Sequence, residues 1–217
     1  MSTAIIGVGN IGSAVAEHLV AGGERVVLAA TEQPETLARQ LGDRASSASV
    51  SDAITAADVV IFAVMFATTQ QLIGQHRSEL GGKVVVDPSN PIAVDATGTF
   101  SRTLPDGVSS GSVIAGLVPP DAHFVKAFGT LSAESLRTES NRGPTRAALF
   151  YATDDDQAQA AIERLITAAG FDPVKAGGVD AAIRIEMFGD LHQNGGLNGR
   201  LVDAREARAA VASRAAT

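Results

Sequence analysis

Six consecutive residues near the amino terminus have the spacing of a turn that can hold a diphosphate. The segment Gly7-Val8-Gly9-Asn10-Ile11-Gly12 follows a short apolar strand, Ala4-Ile5-Ile6, and precedes apolar residues at helical spacing. In such a turn the first glycine permits a tight bend, the second lets backbone amides approach a pyrophosphate, and the third lets helix and strand pack closely. The amino end of the helix adds partial positive charge. This context predicts that the turn binds NAD or NADP.

Thr31 and Glu32 come directly after the second predicted strand, Arg25 to Ala29. A carboxylate about twenty residues beyond Gly12 can accept hydrogen bonds from the adenosine ribose and would repel a 2′-phosphate, which favours NAD. Alternatively, Glu32 is a solvated charge near a helix start, Thr31 bonds a phosphate oxygen, and Arg39 reaches the same group. Both alternatives stay open at this point.

Three further strand ends are expected at the same edge of the sheet, since ligands of open α/β sheets gather at the carboxyl ends of the strands. Phe66 and Phe128 could be flat apolar walls beside the nicotinamide, although core packing is the alternative for each. Asn90 and the backbone near Gly129 could meet the carboxamide, and Pro91 could instead end a strand. The three segments are Val64-Met65-Phe66-Ala67, Asp87-Pro88-Ser89-Asn90-Pro91 and Lys126-Ala127-Phe128-Gly129-Thr130.

No acid–base pair is evident in the sequence. The polar candidates are Lys126, His123, Ser89, Asp190 and His192. Of these, Lys126 and His192 are the candidates for a proton donor, but surface or supporting positions explain each of them as well. Reduction of a flavin-like ring needs hydride alignment and can take its proton from solvent, whereas an aldehyde or ketone normally needs a positioned donor.

Strands alternate with helices along the chain. The unbroken apolar runs, residues 57–64 and 84–86, suit strands covered on both faces and predict a mostly parallel sheet between helix layers. The pattern also predicts helices over 34–41, 68–80, 112–118 and 155–169, and strands over 123–128, 147–153 and 172–176. Residues 90–107 are expected to form a long loop and 132–144 a polar connector. A final helical region from Asp180 to Ala215 is interrupted at Gly189 and over 194–199.

Composition excludes several classes of function. The formal charge is −7 over 217 residues, so no basic surface is expected for nucleic acid or anionic membranes. The chain has no cysteine and four scattered histidines, which argues against disulfides, thiol catalysis and a metal site. It has neither an 18-residue apolar window nor a secretory leader, and we expect a cytoplasmic protein.

The chain resembles the coenzyme F420-dependent NADP oxidoreductase family, which includes the dinucleotide domain of the STEAP metalloreductases. The resemblance covers nearly the whole chain, although its motifs become sparse after about Thr130. The matching stretches are Ile6-Gly7-Val8-Gly9-Asn10-Ile11-Gly12, Pro34-Glu35-Thr36-Leu37, Val86-Asp87-Pro88-Ser89-Asn90-Pro91 and Val125-Lys126-Ala127-Phe128.

This resemblance implies an α/β fold of the Rossmann type, doubly wound and mostly parallel, with a small carboxy-terminal α/β extension. The expected division is a dinucleotide-binding domain over residues 1–135 and an extension over 136–217, which completes the substrate pocket and the contact of a homodimer. It also implies hydride transfer between NAD(P)H and a second bound acceptor, with coenzyme F420 or a flavin as co-substrate.

Three departures from the family pattern concern specificity. Members that prefer NADP carry Ser-Arg where this chain has Thr31-Glu32, and many carry Asn at the position of Gly129. Residues 188–196 fall outside the pattern and could shape a different pocket or be an ordinary helix break. Two other functions therefore stay open: a reductase of a small carbonyl or imine, and a dinucleotide-binding redox sensor without turnover.

Overall fold

The computed structural model describes residues 1–213 and contains a central sheet of eight strands, together with a separate two-stranded hairpin. The strands are β1 (Thr3–Ile6), β2 (Val26–Ala29), β3 (Ala45–Ser47), β4 (Val59–Phe62), β5 (Val84–Asp87), β6 (Ile92–Val94), β7 (Phe100–Arg102), β8 (His123–Ala127), β9 (Ala148–Ala152) and β10 (Asp172–Gly177). The helices are α1 (Asn10–Ala21), α2 (Pro34–Leu41), α3 (Val50–Ala56), α4 (Phe66–Gln75), α5 (Ser110–Ala115), α6 (Ala133–Thr138), α7 (Asp156–Ala168), α8 (Ala182–Ile185) and α9 (Ala204–Ser213).

The strand order of the large sheet is β10-β9-β8-β5-β4-β1-β2-β3. All neighbouring pairs are parallel except β8 and β9, which are antiparallel. The chain moves outward from β1 to β3 and then crosses back to β4, so the order reverses between β1 and β4. Crevices at such reversals are where open α/β sheets bind ligands. The predicted doubly wound, mostly parallel α/β fold is confirmed.

The central strands bury both faces because their apolar residues alternate between two cores. In β4, Val59 and Ile61 join the core beneath α1 and α7, while Val60 and Phe62 join the core beneath α3 and α4. This explains why these strands are continuous apolar runs in the sequence. A third cluster joins β9 and β10 to α8 and α9.

The structure differs from the sequence-based expectations in four segments. Residues 90–107 are not a structureless loop, because β6 and β7 pair as an antiparallel hairpin. The connector 132–144 contains α6, whose N-cap residue is Ser132; the Oγ of Ser132 accepts from the backbone N–H of Ser135. The edge strand β3 and helix α3 were not predicted. The predicted final helical region is α-helical only in α8 and α9, and the chain between them forms turns; residues 214–215 of that prediction lie outside the described residues.

Within residues 1–213, no helix is both long enough and apolar enough to cross a membrane.

Candidate active site

The turn between β1 and α1 is shaped by close backbone contacts. Gly7 has φ +99°, and a Cβ there would lie 2.5 Å from the carbonyl oxygen of Ala63. A Cβ on Gly12 would lie 1.9 Å from the carbonyl oxygen of Gly7. Gly9 has no heavy atom within 4 Å of the equivalent position. The outer two glycines are therefore required by packing, and the middle one faces open space.

Helix α1 begins at this turn without a side-chain cap. Gly9 is the N-cap residue, makes no side-chain hydrogen bond, and is followed by a first turn that contains no acidic residue. The first backbone N–H groups of a helix have no intrahelical acceptor, and the helix dipole favours an anion at this end. The uncapped helix and the open space above Gly9 fit the pyrophosphate of a dinucleotide.

Thr31 and Glu32 are exposed after β2, ahead of a left-handed residue, Gln33, at φ 54°. In the described part of the chain neither side chain has a hydrogen-bond partner, so both are available to an adenosine ribose or its phosphate. Arg39 lies in the last turn of α2, where its Nη2 is 3.4 Å from the hydroxyl of Thr36.

The expected aromatic walls lie in different environments. Phe66 opens α4 and is half-buried, beside Val64, which is also half-buried, and Met65, which is 59% exposed. Phe128 is 0% exposed and belongs to the core beneath α1. Its side chain offers no face to a ligand, so core packing accounts for it.

Asn90 joins three segments that are far apart in the sequence. Its Nδ2 donates to the carbonyl oxygen of Gly129 at 3.1 Å, and its Oδ1 accepts from the backbone N–H of Met187 at 2.6 Å. Pro91 and Ala127, on either side of this junction, are buried. The side chain expected at the carboxamide thus ties the ends of β5 and β8 to the carboxy-terminal segment.

Gly129 is fixed by the same junction. A Cβ there would approach the carbonyl oxygen of Pro88 to 2.4 Å. The asparagine that many family members carry would therefore not fit without moving the backbone. The carbonyl oxygen of Gly129 also accepts from Nε2 of His192 at 3.1 Å.

His192 is buried and both of its ring nitrogens are engaged. Nε2 donates to Gly129, and Nδ1 accepts from the backbone N–H of Asn194 at 3.0 Å. Burial lowers the pKa of His192 to about 4, against a smaller upward effect of the hydrogen bond to Gly129. The ring is a neutral structural group with no proton to spare at neutral pH.

Lys126 is also buried, at 2% exposure, in a network that the sequence analysis did not find. Its Nζ donates to Oδ2 of Asp87 at 2.7 Å, to Oγ of Ser110 at 2.7 Å, and to the carbonyl oxygen of Ser89. Glu186 is fully buried; its Oε1 accepts from the hydroxyl of Ser110 at 2.8 Å and lies 3.9 Å from the ammonium.

This network is the main feature of the site that sequence reasoning missed. Register explains part of it, because Asp87 and Lys126 are partners across the parallel pair β5–β8. The sequence held one indication of this network. Glu186 stands between two apolar residues, Ile185 and Met187, and a carboxylate buried among apolar residues needs a partner of opposite charge.

An open cleft of about 530 Å³ lies between the β6–β7 hairpin and the segment after α8. Its lining consists of Arg102, Asp106, Gly107, Ile183, Arg184, Phe188, Gly189, Asp190 and Gly196. The segment that departs from the family pattern, residues 188–196, therefore forms one wall.

Comparison with known proteins relates the chain to one family and several reductase structures. The family described as NADP oxidoreductase, coenzyme F420-dependent, matches residues 2–91. A hypothetical protein, SMa0349, from Sinorhizobium meliloti is 30% identical, with a TM-score of 0.79, over 94% of this chain and 95% of that one. No curated protein matches the chain.

Two further structures share the fold. A candidate F420-dependent NADP-reductase from Arthrobacter sp. FB24 is 23% identical over 84% of this chain and 87% of that one, with a TM-score of 0.71. An imine reductase from Pseudomonas sp. is 22% identical over 83% of this chain but only 57% of its own length, with a TM-score of 0.61.

Proposed function

The chain belongs to the family of coenzyme F420-dependent NADP oxidoreductases, and from this premise we propose that it transfers a hydride between NAD(P)H and a second acceptor bound beside the nicotinamide. The observation that carries the proposal is the uncapped amino end of α1 with open space above Gly9. That geometry suits a pyrophosphate and leaves the nicotinamide half to extend toward the ends of β4, β5 and β8.

The family uses NADP, whereas Glu32 favours a ribose without a 2′-phosphate. We propose that Glu32 sets this preference. Glu32→Arg should lower the Kd for NADP about tenfold, since a charge-assisted bond to the phosphate replaces a repulsion. Calorimetric titration of both nucleotides checks this, with Asp121→Arg, an exposed residue just before the amino end of β8, as the control for net charge. An unchanged NAD-to-NADP preference removes Glu32 from the site.

A deazaflavin or flavin-like ring is the acceptor that we favour. Lys126 is held by Asp87 and Ser110, and both nitrogens of His192 have partners. Neither candidate is free to deliver a proton, which suits a ring that takes its proton from solvent better than a carbonyl or imine that needs a positioned donor.

Steady-state oxidation of NADPH and NADH with deazaflavin, flavin, and a panel of carbonyls and imines tests the reaction. We expect turnover with a ring acceptor and little with the panel. Turnover confined to carbonyls or imines would replace the proposed acceptor class. Tight nucleotide binding without turnover on any acceptor would favour a redox sensor.

We further propose that residues 136–217 complete the acceptor pocket of the dinucleotide domain, residues 1–135, and supply the contact of a homodimer. The first part rests on the cleft, whose wall includes Arg184, Phe188 and Asp190. The second part rests on the family. Sedimentation at micromolar concentration should give the mass of two chains, and a monomer would contradict it.

A further inference from the structure

The 530 Å³ cleft lies beside the segment that Asn90 ties to the end of β5, the strand end that the proposed function assigns to hydride transfer. Phe188, on its wall, follows Met187, whose backbone N–H is held by Asn90 at 2.6 Å. On the other wall, Arg102 at the base of the hairpin lies 3.7 Å from Oε2 of Glu186. A volume of this size accommodates a ring-sized ligand.

The charges that line the cleft are balanced within the protein, apart from one. Arg184 is paired with Asp190 at 2.9 Å, and Arg102 faces the buried carboxylate of Glu186. Asp106 is exposed and has no hydrogen bond or ion pair to any residue in the described range 1–213. An anion entering the cleft would compete with these carboxylates for the two guanidinium groups and would approach the free carboxylate of Asp106.

Apolar groups are exposed around the same opening. Phe188 is 49% exposed and has φ 74°, a conformation that is costly for a bulky residue and therefore has to be held in place by its surroundings. On the hairpin, Val94 and Phe100 are cross-strand partners, 53% and 45% exposed. They share a face with Arg102, since residues two apart in a strand point the same way. The hairpin thus extends the cleft outward with an apolar surface.

We propose that this cleft binds the acceptor as an uncharged, flat, largely apolar ring, and that Phe188 and Asp106 are its specificity-determining residues. Phe188 supplies a face for stacking, and Asp106 disfavours acceptors with an anionic substituent inside the cleft. The inference rests on the proposed function, because it takes the cleft to be the acceptor half of that site.

Riboflavin and flavin mononucleotide test the proposal, since they share one ring and differ by a phosphate. Each is titrated into the full chain saturated with NADP, and quenching of flavin fluorescence gives a Kd that does not require turnover. We expect riboflavin to bind at least about threefold more tightly than flavin mononucleotide, because the phosphate is repelled by Asp106 through one partly screened charge contact. Asp106→Asn should reduce the ratio of the two Kd values about threefold. Asp121→Asn, the matched loss of one charge just before the amino end of β8, should leave the ratio unchanged.

Phe188→Ala should weaken both flavins about tenfold, and Phe188→Tyr, which keeps the flat ring, should restore binding. Equal or tighter binding of the mononucleotide, an unchanged Kd in Phe188→Ala, or no binding of either flavin would overturn the proposal. A parallel NADPH titration distinguishes a failure of this inference from a failure of the proposed function. If NADPH binds and the flavins do not, only this inference is wrong. If the chain does not bind NADPH, the proposed function is wrong as well.

Discussion

The turn between β1 and α1 takes its shape mainly from six consecutive residues, with an outside contact between Gly7 and Ala63, whereas the ends of β5 and β8 are held by residues up to 97 positions apart. At the turn, the determinants are the missing side chains of Gly7 and Gly12 and the missing cap of α1. At the strand ends, the determinants are buried polar groups, each dependent on its partners. The comparison shows that one edge of the sheet combines a turn fixed largely by neighbouring residues with strand ends that depend on tertiary contacts.

The largest effect on stability should come from removing Lys126, the buried cation at the ends of β5 and β8. Lys126→Met leaves Asp87 and Glu186 buried without it, and we expect the free energy of unfolding to fall by about 3–5 kcal/mol. Denaturant titration followed by circular dichroism measures this. Arg200→Gln, which removes an exposed ion pair with Glu206, is the control and should change stability by less than about 0.5 kcal/mol.

If Lys126→Met does not fold, the double variant Asp87→Asn/Lys126→Met makes the same test, because it neutralises one of the two buried carboxylates that the single variant leaves without the cation. It should regain part of the lost stability. A Lys126→Met protein as stable as the parent would show that this network does not support the strand ends.

This contrast also explains how far the sequence could predict the molecule. The Gly7–Gly12 turn and the apolar strands are visible because the residues that determine them are neighbours or repeat at a fixed period. The contact of Lys126 with Asp87 requires the register of two strands, and that with Glu186 requires knowing where α8 packs. The buried state of His192 could not be inferred either, since its partners Gly129 and Asn194 act through backbone groups.

The hairpin was missed for a similar reason. Its strands have three residues each, and the turn between them, Asp95 to Thr99, is rich in residues that are also typical of loops. Such short strands carry too little periodicity to be distinguished from irregular chain.

A smaller effect on stability is expected at the turn, where alanine should destabilise the fold at the outer glycine Gly12 but not at the middle glycine Gly9. Gly12→Ala places a methyl group 1.9 Å from the carbonyl oxygen of Gly7, and we expect it to cost about 3 kcal/mol of stability. Gly9→Ala meets nothing within 4 Å and should fold like the parent, but its methyl group would occupy the space proposed for the pyrophosphate and raise the Kd for NADPH at least about tenfold. Unaltered NADPH binding by a folded Gly9→Ala variant would contradict the proposed placement.

The smallest effect is a pH dependence of the stability that His192 contributes at the end of β8. The pKa of His192 is lowered to about 4 in the folded chain and is about 6.5 when unfolded. Below pH 6.5 the unfolded chain therefore binds more protons at this site, so the stability that neutral His192 provides is complete above that pH and is lost as the pH falls toward 4. Between pH 7 and pH 5 the loss should be about 2 kcal/mol. The measurement compares the parent with His192→Gln at both values, since other groups that titrate in this range contribute equally to the two proteins. A parent and variant with parallel pH profiles would show that His192 is not buried in its neutral form, and would remove one of the contacts that hold the carbonyl oxygen of Gly129 at the end of β8.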